Sequence, residues 1–89
     1  MGGSRRLRVL VAAGDARARS CMCNRVSHLG HLVVGHSGSG RETVSLARRL
    51  SPDLAIIDME LPDISGLEAS RRIDAEELCP IVLLSPSSD

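Results

Sequence analysis

The chain has 89 residues, enough for one small domain. Hydrophobic residues make up 43% and charged residues 25%, a globular composition that excludes a disordered polypeptide. Eleven Arg, with no Lys, balance eleven acids, so the net charge of zero gives no argument for binding nucleic acid or a membrane.

Residues 1–6, including the small basic tip Arg5-Arg6, read as a disordered lead-in, and 7–89 as the domain itself. Four short apolar runs follow in order: Leu7 to Ala12, Leu32 to Val34, Leu54 to Ile57 and Ile81 to Leu84. Apolar runs without alternation suit strands buried on both faces of a parallel sheet. Between them lie segments with helical spacing. The first, about Ala16 to Leu29, puts Ala18, Met22, Val26 and Leu29 on one face, with Gly30 to stop it. The second, about Arg41 to Leu50, uses Val44, Ala47 and Leu50 and breaks at Ser51-Pro52. The third, about Gly66 to Glu77, turns Leu67, Ser70 and Ile73 inward and ends before Pro80. This βα alternation predicts an α/β fold, with right-handed crossovers placing helices on both sides of one parallel sheet. There is no Phe, Tyr or Trp, so the core must be aliphatic and the stability is expected to be low.

In such sheets ligands and chemistry gather beyond the carboxyl ends of the strands, where strand order reverses. The residues expected there are Ala13, Gly14 and Asp15 after strand one, with Asp58 and Met59 after strand three. Asp58 closes the apolar run Leu54-Ala55-Ile56-Ile57, where an ionised carboxylate serves packing poorly.

Three rival motifs carry less. Gly35-His36-Ser37-Gly38-Ser39-Gly40-Arg41-Glu42 has both glycines of a phosphate-binding loop, but Arg41 stands at the Lys position and Glu42 at the metal-binding hydroxyl. As a nucleophile elbow around Ser37 it lacks a glycine, and no His follows His36 to act as base. The bland alternative, a flexible strand–helix loop, is the expectation. Cys21, Cys23, His28 and His31 do not make a zinc site, since Cys21 and Cys23 lie about 200° apart around a helix. Three Cys without a disulfide framework read as reduced thiols. No segment is long and apolar enough for export or membrane spanning, and a cytoplasmic location is expected.

Pro52-Asp53-Leu54-Ala55-Ile56-Ile57-Asp58-Met59-Glu60-Leu61-Pro62-Asp63-Ile64-Ser65-Gly66-Leu67-Glu68 resembles the phospho-acceptor segment of two-component response-regulator receiver domains. The resemblance extends through Val9-Leu10-Val11-Ala12, Leu29-Gly30-His31-Leu32-Val33-Val34-Gly35, Gly40-Arg41-Glu42 with Leu46 to Leu50, and Cys79-Pro80-Ile81-Val82-Leu83-Leu84-Ser85. It covers roughly residues 7 to 88 without gaps. It implies a flavodoxin-like doubly wound sheet of order 2-1-3-4, ending before the family's fifth strand and last helices. It further implies Asp58 as phospho-acceptor, Ser85 as switch hydroxyl, and Asp58 with the Met59 backbone carbonyl as ligands to Mg²⁺. The implied partner is a sensor histidine kinase or other signalling protein, with no nucleic acid or membrane contact by this segment. The short link before Pro80 most resembles receivers of the ANTAR type, which carry an RNA-binding helical module downstream.

The departures from the family concern the metal. Ala13 and Gly14 stand where the family has its acidic pair, and Asp15, next along, is expected to cap a helix, with metal ligation as the alternative. The family's Lys is absent, and Pro86 follows Ser85 where a small residue is usual, which is expected to stiffen the switch loop. The expectation is therefore a degenerate receiver acting by protein contacts, with an apolar strand-four edge open to self-association. The alternative from another class is a small hydrolase or phosphatase-like enzyme using Ser37 or Asp58.

Overall fold

A computed structural model describes residues 5–85. Its elements are β1 (Arg8–Ala12), α1 (Ala16–His28), β2 (Leu32–Ser37), α2 (Gly40–Leu50), β3 (Leu54–Asp58), α3 (Gly66–Ala75) and β4 (Ile81–Leu84). The strands form one all-parallel sheet in the order β2-β1-β3-β4, as the resemblance implies. Only Arg5 and Arg6 of the expected disordered tip fall within the described residues, where they are exposed. The proposed stiffening by Pro86 lies outside them.

Alternate strand residues serve opposite faces, and the core divides accordingly. Leu10, Ala12, Ala55 and Ile57 meet Val44 and Ala47 of α2 and Ala69 and Ile73 of α3. Val9 and Val11 meet Val26 of α1 on the other face, with Met22, Cys23, Val33 and Ile56 around them. The first cluster is the larger, and four of its eight buried residues are Ala, so helices and sheet approach closely without aromatic filling.

Several expected details need correction. β2 runs on through Gly35, His36 and Ser37, which pair with Leu10, Val11 and Ala12, and α2 already begins at Gly40, so only Gly38 and Ser39 of the expected eight-residue loop lie between the elements. Backbone pairing needs no apolar side chain, and a Cβ at Gly35 would lie 2.8 Å from Leu50 Cδ1, so glycine here admits α2. Leu29, expected inward on α1, is 75% exposed: the helix ends at His28 and Gly30 takes φ +90° in the reversal that follows. Leu67, expected inward on α3, is 39% exposed, because the buried stripe runs Gly66, Ala69, Ser70, Ile73. α3 also stops at Ala75, two residues early, where Glu77 takes φ 53° and the Leu78 N–H reaches back to the Ile73 carbonyl.

The amino ends of the strands are fastened by Arg8. Its guanidinium donates to the Leu50 and Ser51 carbonyls at 2.8 Å each, and its backbone N–H donates to Asp53 Oδ2 at 2.8 Å. These bonds satisfy carbonyls orphaned at the end of α2, where Ser51 takes the left-handed conformation. His31 contributes at the same end, its Nδ1 accepting from the Leu7 N–H at 3.1 Å.

Candidate functional site

Strand order reverses between β1 and β3, and their carboxyl ends frame a crevice. Register places the expected residues on one rim. Ala12 pairs with Ile57, so Ala13 lies level with Asp58, and Asp58 pairs with Leu84, so Ser85 follows beside Met59. Asp58 is half-buried, and its Oδ1 accepts from the Glu60 N–H at 3.0 Å. Asp58, Ser85, Ala13 and Gly14 thus end along one rim of the sheet.

Asp15 is not part of that group. Its Oδ2 accepts from the Ala18 N–H at 3.0 Å, capping α1, which is the role expected of it. The backbone carbonyls also divide. Met59 O accepts from the Gly66 N–H at 2.7 Å, whereas Glu60 O lies against Gly14, 3.1 Å from where a Cβ would stand. Of the two carbonyls, Glu60 faces the β1 turn.

The Mg²⁺ that the resemblance implies needs six oxygens, normally including one or two carboxylates. Ala13 is fully buried, and Gly14 is exposed; neither has an oxygen on its side chain to offer. Among the described residues no three His, Cys, Asp or Glu side chains gather around one point. One carboxylate without an acidic neighbour is too sparse a ligand set to fit the ion.

The loop after Asp58 is held by devices that the sequence did not announce. Asp63 reaches across to the start of α2: Oδ1 accepts from the Gly40 N–H at 2.7 Å, and Oδ2 from Ser39 Oγ at 2.7 Å and the Arg41 N–H at 3.0 Å. These donors, the Arg41 amide first and the Ser39 hydroxyl next, hold its carboxyl well below the usual range. Ser39 caps α2 through the Glu42 N–H, and Glu42 Oε1 accepts from Ser37 Oγ at 2.6 Å. The pattern Ser39-x-x-Glu42 is a readable cap signal. The Asp63 bond, 24 residues from Ser39 in the chain, carries no local signal. Below this loop, a Cβ on Gly66 would overlap the Asp58 carbonyl oxygen, so α3 starts hard against the acceptor strand.

The hydrolase alternative finds no support in this geometry. Ser37 is 3% exposed and its hydroxyl is spent inside the α2 cap, donating to Glu42, so a substrate has no access to it. Cys21 is exposed and Cys23 half-buried on α1, each a free thiol. No helix among the described residues is long and apolar enough to cross a membrane.

Comparison with known proteins agrees with the sheet and its crevice. The family model of the response regulator receiver domain matches residues 9–89. The transcriptional regulatory protein PdtaR of Mycobacterium tuberculosis is 36% identical over 91% of this chain and 40% of its own length. A protein-glutamate methylesterase/protein-glutamine glutaminase of Myxococcus xanthus is 42% identical over 89% of this chain and 23% of its own. The chain therefore spans well under half of either relative. The response regulator domain of Thermotoga maritima CheB superposes with a TM-score of 0.84 at 32% identity, covering 91% of this chain and 61% of that one. The chain belongs to the response regulator receiver domain family.

Proposed function

We propose that residues 7–89 act as a receiver unit of a phosphorelay, with Asp58 in the phospho-acceptor position, signalling chiefly through protein contacts. The observation that supports this reading is the lone carboxylate at the rim of β3, facing Ala13 and Gly14 instead of two acids. Phosphoryl transfer to a carboxylate runs mainly on positioning and on cations that neutralise the phosphoryl oxygens. A crevice without metal ligands forfeits that neutralisation, so turnover at Asp58 is slow and Mg²⁺ contributes little. Ser85, at the matching end of β4, takes the switch position.

The partner is a sensor histidine kinase or another signalling protein, met in the cytoplasm. The resemblance to ANTAR-type receivers suggests an RNA-binding output in the whole protein, not in this segment. Among the described residues β4 has no neighbour beyond it, and Val82 and Leu84 are 43% and 39% exposed, so a second copy pairing there is part of the reading. Titrating the purified chain against the phosphotransfer domain of a sensor kinase tests the proposal. Saturable binding without turnover, together with no hydrolysis of a generic ester, is expected. Ester hydrolysis abolished by Ser37→Ala or Asp58→Ala overturns it in favour of an enzyme.

A further inference from the structure

Away from the crevice, a cavity of about 330 Å³ opens between α1 and the edge strand β2, lined by Ala16, Arg19, Ser20, Cys23, Asn24, Ser27, Val33 and His36. Three observations meet there. The first is the lining itself: a guanidinium, an imidazole, two hydroxyls and an amide, with no carboxylate among them. The Arg19 Nη1 donates to the Ala13 carbonyl at 2.8 Å, which anchors the side chain while its other N–H groups carry no protein bond among the described residues.

The second is a register shift. Val9 pairs with Val33 and Leu10 with Gly35, so Val34 is the extra residue of a β-bulge. Without it, strict alternation would put His36 on the face opposite Val33. With it, His36 pairs with Val11 and shares the α1 face with Val33, at the wall of the cavity. Bulges commonly re-aim side chains in this way.

The third is charge. Residues 1–36 hold six of the eleven Arg and only one of the eleven acids, whereas 37–89 hold five Arg and ten acids. α1 itself carries Arg17, Arg19 and Arg25 and no acid. A neutral chain thus has a positive pole, and the cavity lies in it.

The geometry points to this α1–β2 cavity as a binding site for a small phosphate-bearing ligand, independent of the reading of Asp58. A phosphate presents three acceptor oxygens, which suits Arg19, His36 and the Ser20, Asn24 and Ser27 donors better than the two oxygens of a carboxylate. A volume of this order accommodates a small ester. Cys23 is not a nucleophile here, since burial pushes its thiol up against the pull of Arg19.

Titration of the ¹⁵N-labelled full chain with inorganic phosphate, phenylphosphonate or acetate, at ionic strength fixed with chloride, reads the site directly. Phosphate and phenylphosphonate are expected to shift the amides of 19–27 and 33–36 saturably, with acetate at least fivefold weaker. Phenylphosphonate binding tighter than phosphate marks an ester as the ligand, and equal affinity marks the free ion. His36→Gln and Arg19→Gln should each weaken binding at least fivefold, and His36→Gln does so without touching the Arg19–Ala13 bond. Shifts confined to other residues, or undiminished in His36→Gln, or equal for acetate and phosphate, overturn the proposal.

Discussion

Gly66→Ala sets two effects of opposite sign against each other at the acceptor strand. Gly66 begins α3, and its φ is not positive, so helix propensity alone favours Ala by about 1 kcal/mol. Most of that gain is the reduced freedom of the unfolded chain. Against this, the new Cβ would overlap the Asp58 carbonyl oxygen and lie 2.7 Å from Met59 Cα and 2.8 Å from Asp58 C. All three are backbone atoms, which cannot rotate away, and the Gly66 N–H bond to Met59 O at 2.7 Å ties the same segments together. Forcing a methyl into a well-packed place costs typically 1–3 kcal/mol, and contact with three backbone atoms puts this site at the top of that range or above it; about 3 kcal/mol against a gain of about 1 leaves a net loss of about 2 kcal/mol. For a domain of this size that is a drop of roughly 8–16 °C in Tm. Far-UV circular dichroism at 222 nm suits the assay, since the chain has no aromatic residue to report by fluorescence. A variant as stable as the parent, or more so, refutes the close approach of α3 to β3.

Other substitutions probe separate joints. Asp63→Asn should expose the Gly40 and Arg41 amides to faster hydrogen exchange, because both donate to that carboxylate. Since the Asp63 pKa is lowered in the fold, its contribution is present at neutral pH and is lost as pH falls below the ordinary aspartate range (~4). Urea midpoints should therefore fall less on acidification in Asp63→Asn than in the parent. Arg8→Ala removes two guanidinium bonds to the Leu50 and Ser51 carbonyls and should cost about 1–3 kcal/mol in urea unfolding. Ile73→Ala, fully buried against the sheet, should cost about 2–5 kcal/mol by the same measurement. Gly14→Asp returns a carboxylate to the rim beside Asp58 and should tighten Mg²⁺ binding in calorimetric titration, the Glu60 carbonyl giving by a few tenths of an ångström to admit the new Cβ.

Sequence reasoning reached the sheet because Val9-Leu10-Val11 and Ala55-Ile56-Ile57 are apolar on both faces, which only a strand covered on both sides requires. It reached Asp58 because the carboxyl end of the third strand lies where strand order reverses, and Ser85 only through the family resemblance. It misjudged Leu29 because α1 ends one residue before it, and Leu67 because that residue lies at the margin of a stripe whose buried members are Gly66, Ala69, Ser70 and Ile73. It missed the end of β2 because Gly35, His36 and Ser37 owe their pairing to β1 and not to their own propensity. The Asp63 bonds to α2 and the Glu60 carbonyl against Gly14 depend on how two loops fold over each other, and no local pattern encodes that.

The most direct test is intact-mass measurement after incubation with acetyl phosphate, with and without Mg²⁺. A crevice holding Asp58 alone predicts little or no 80 Da adduct (HPO₃) and no dependence on the metal. Near-complete, Mg²⁺-dependent phosphorylation that disappears in Asp58→Ala would contradict it.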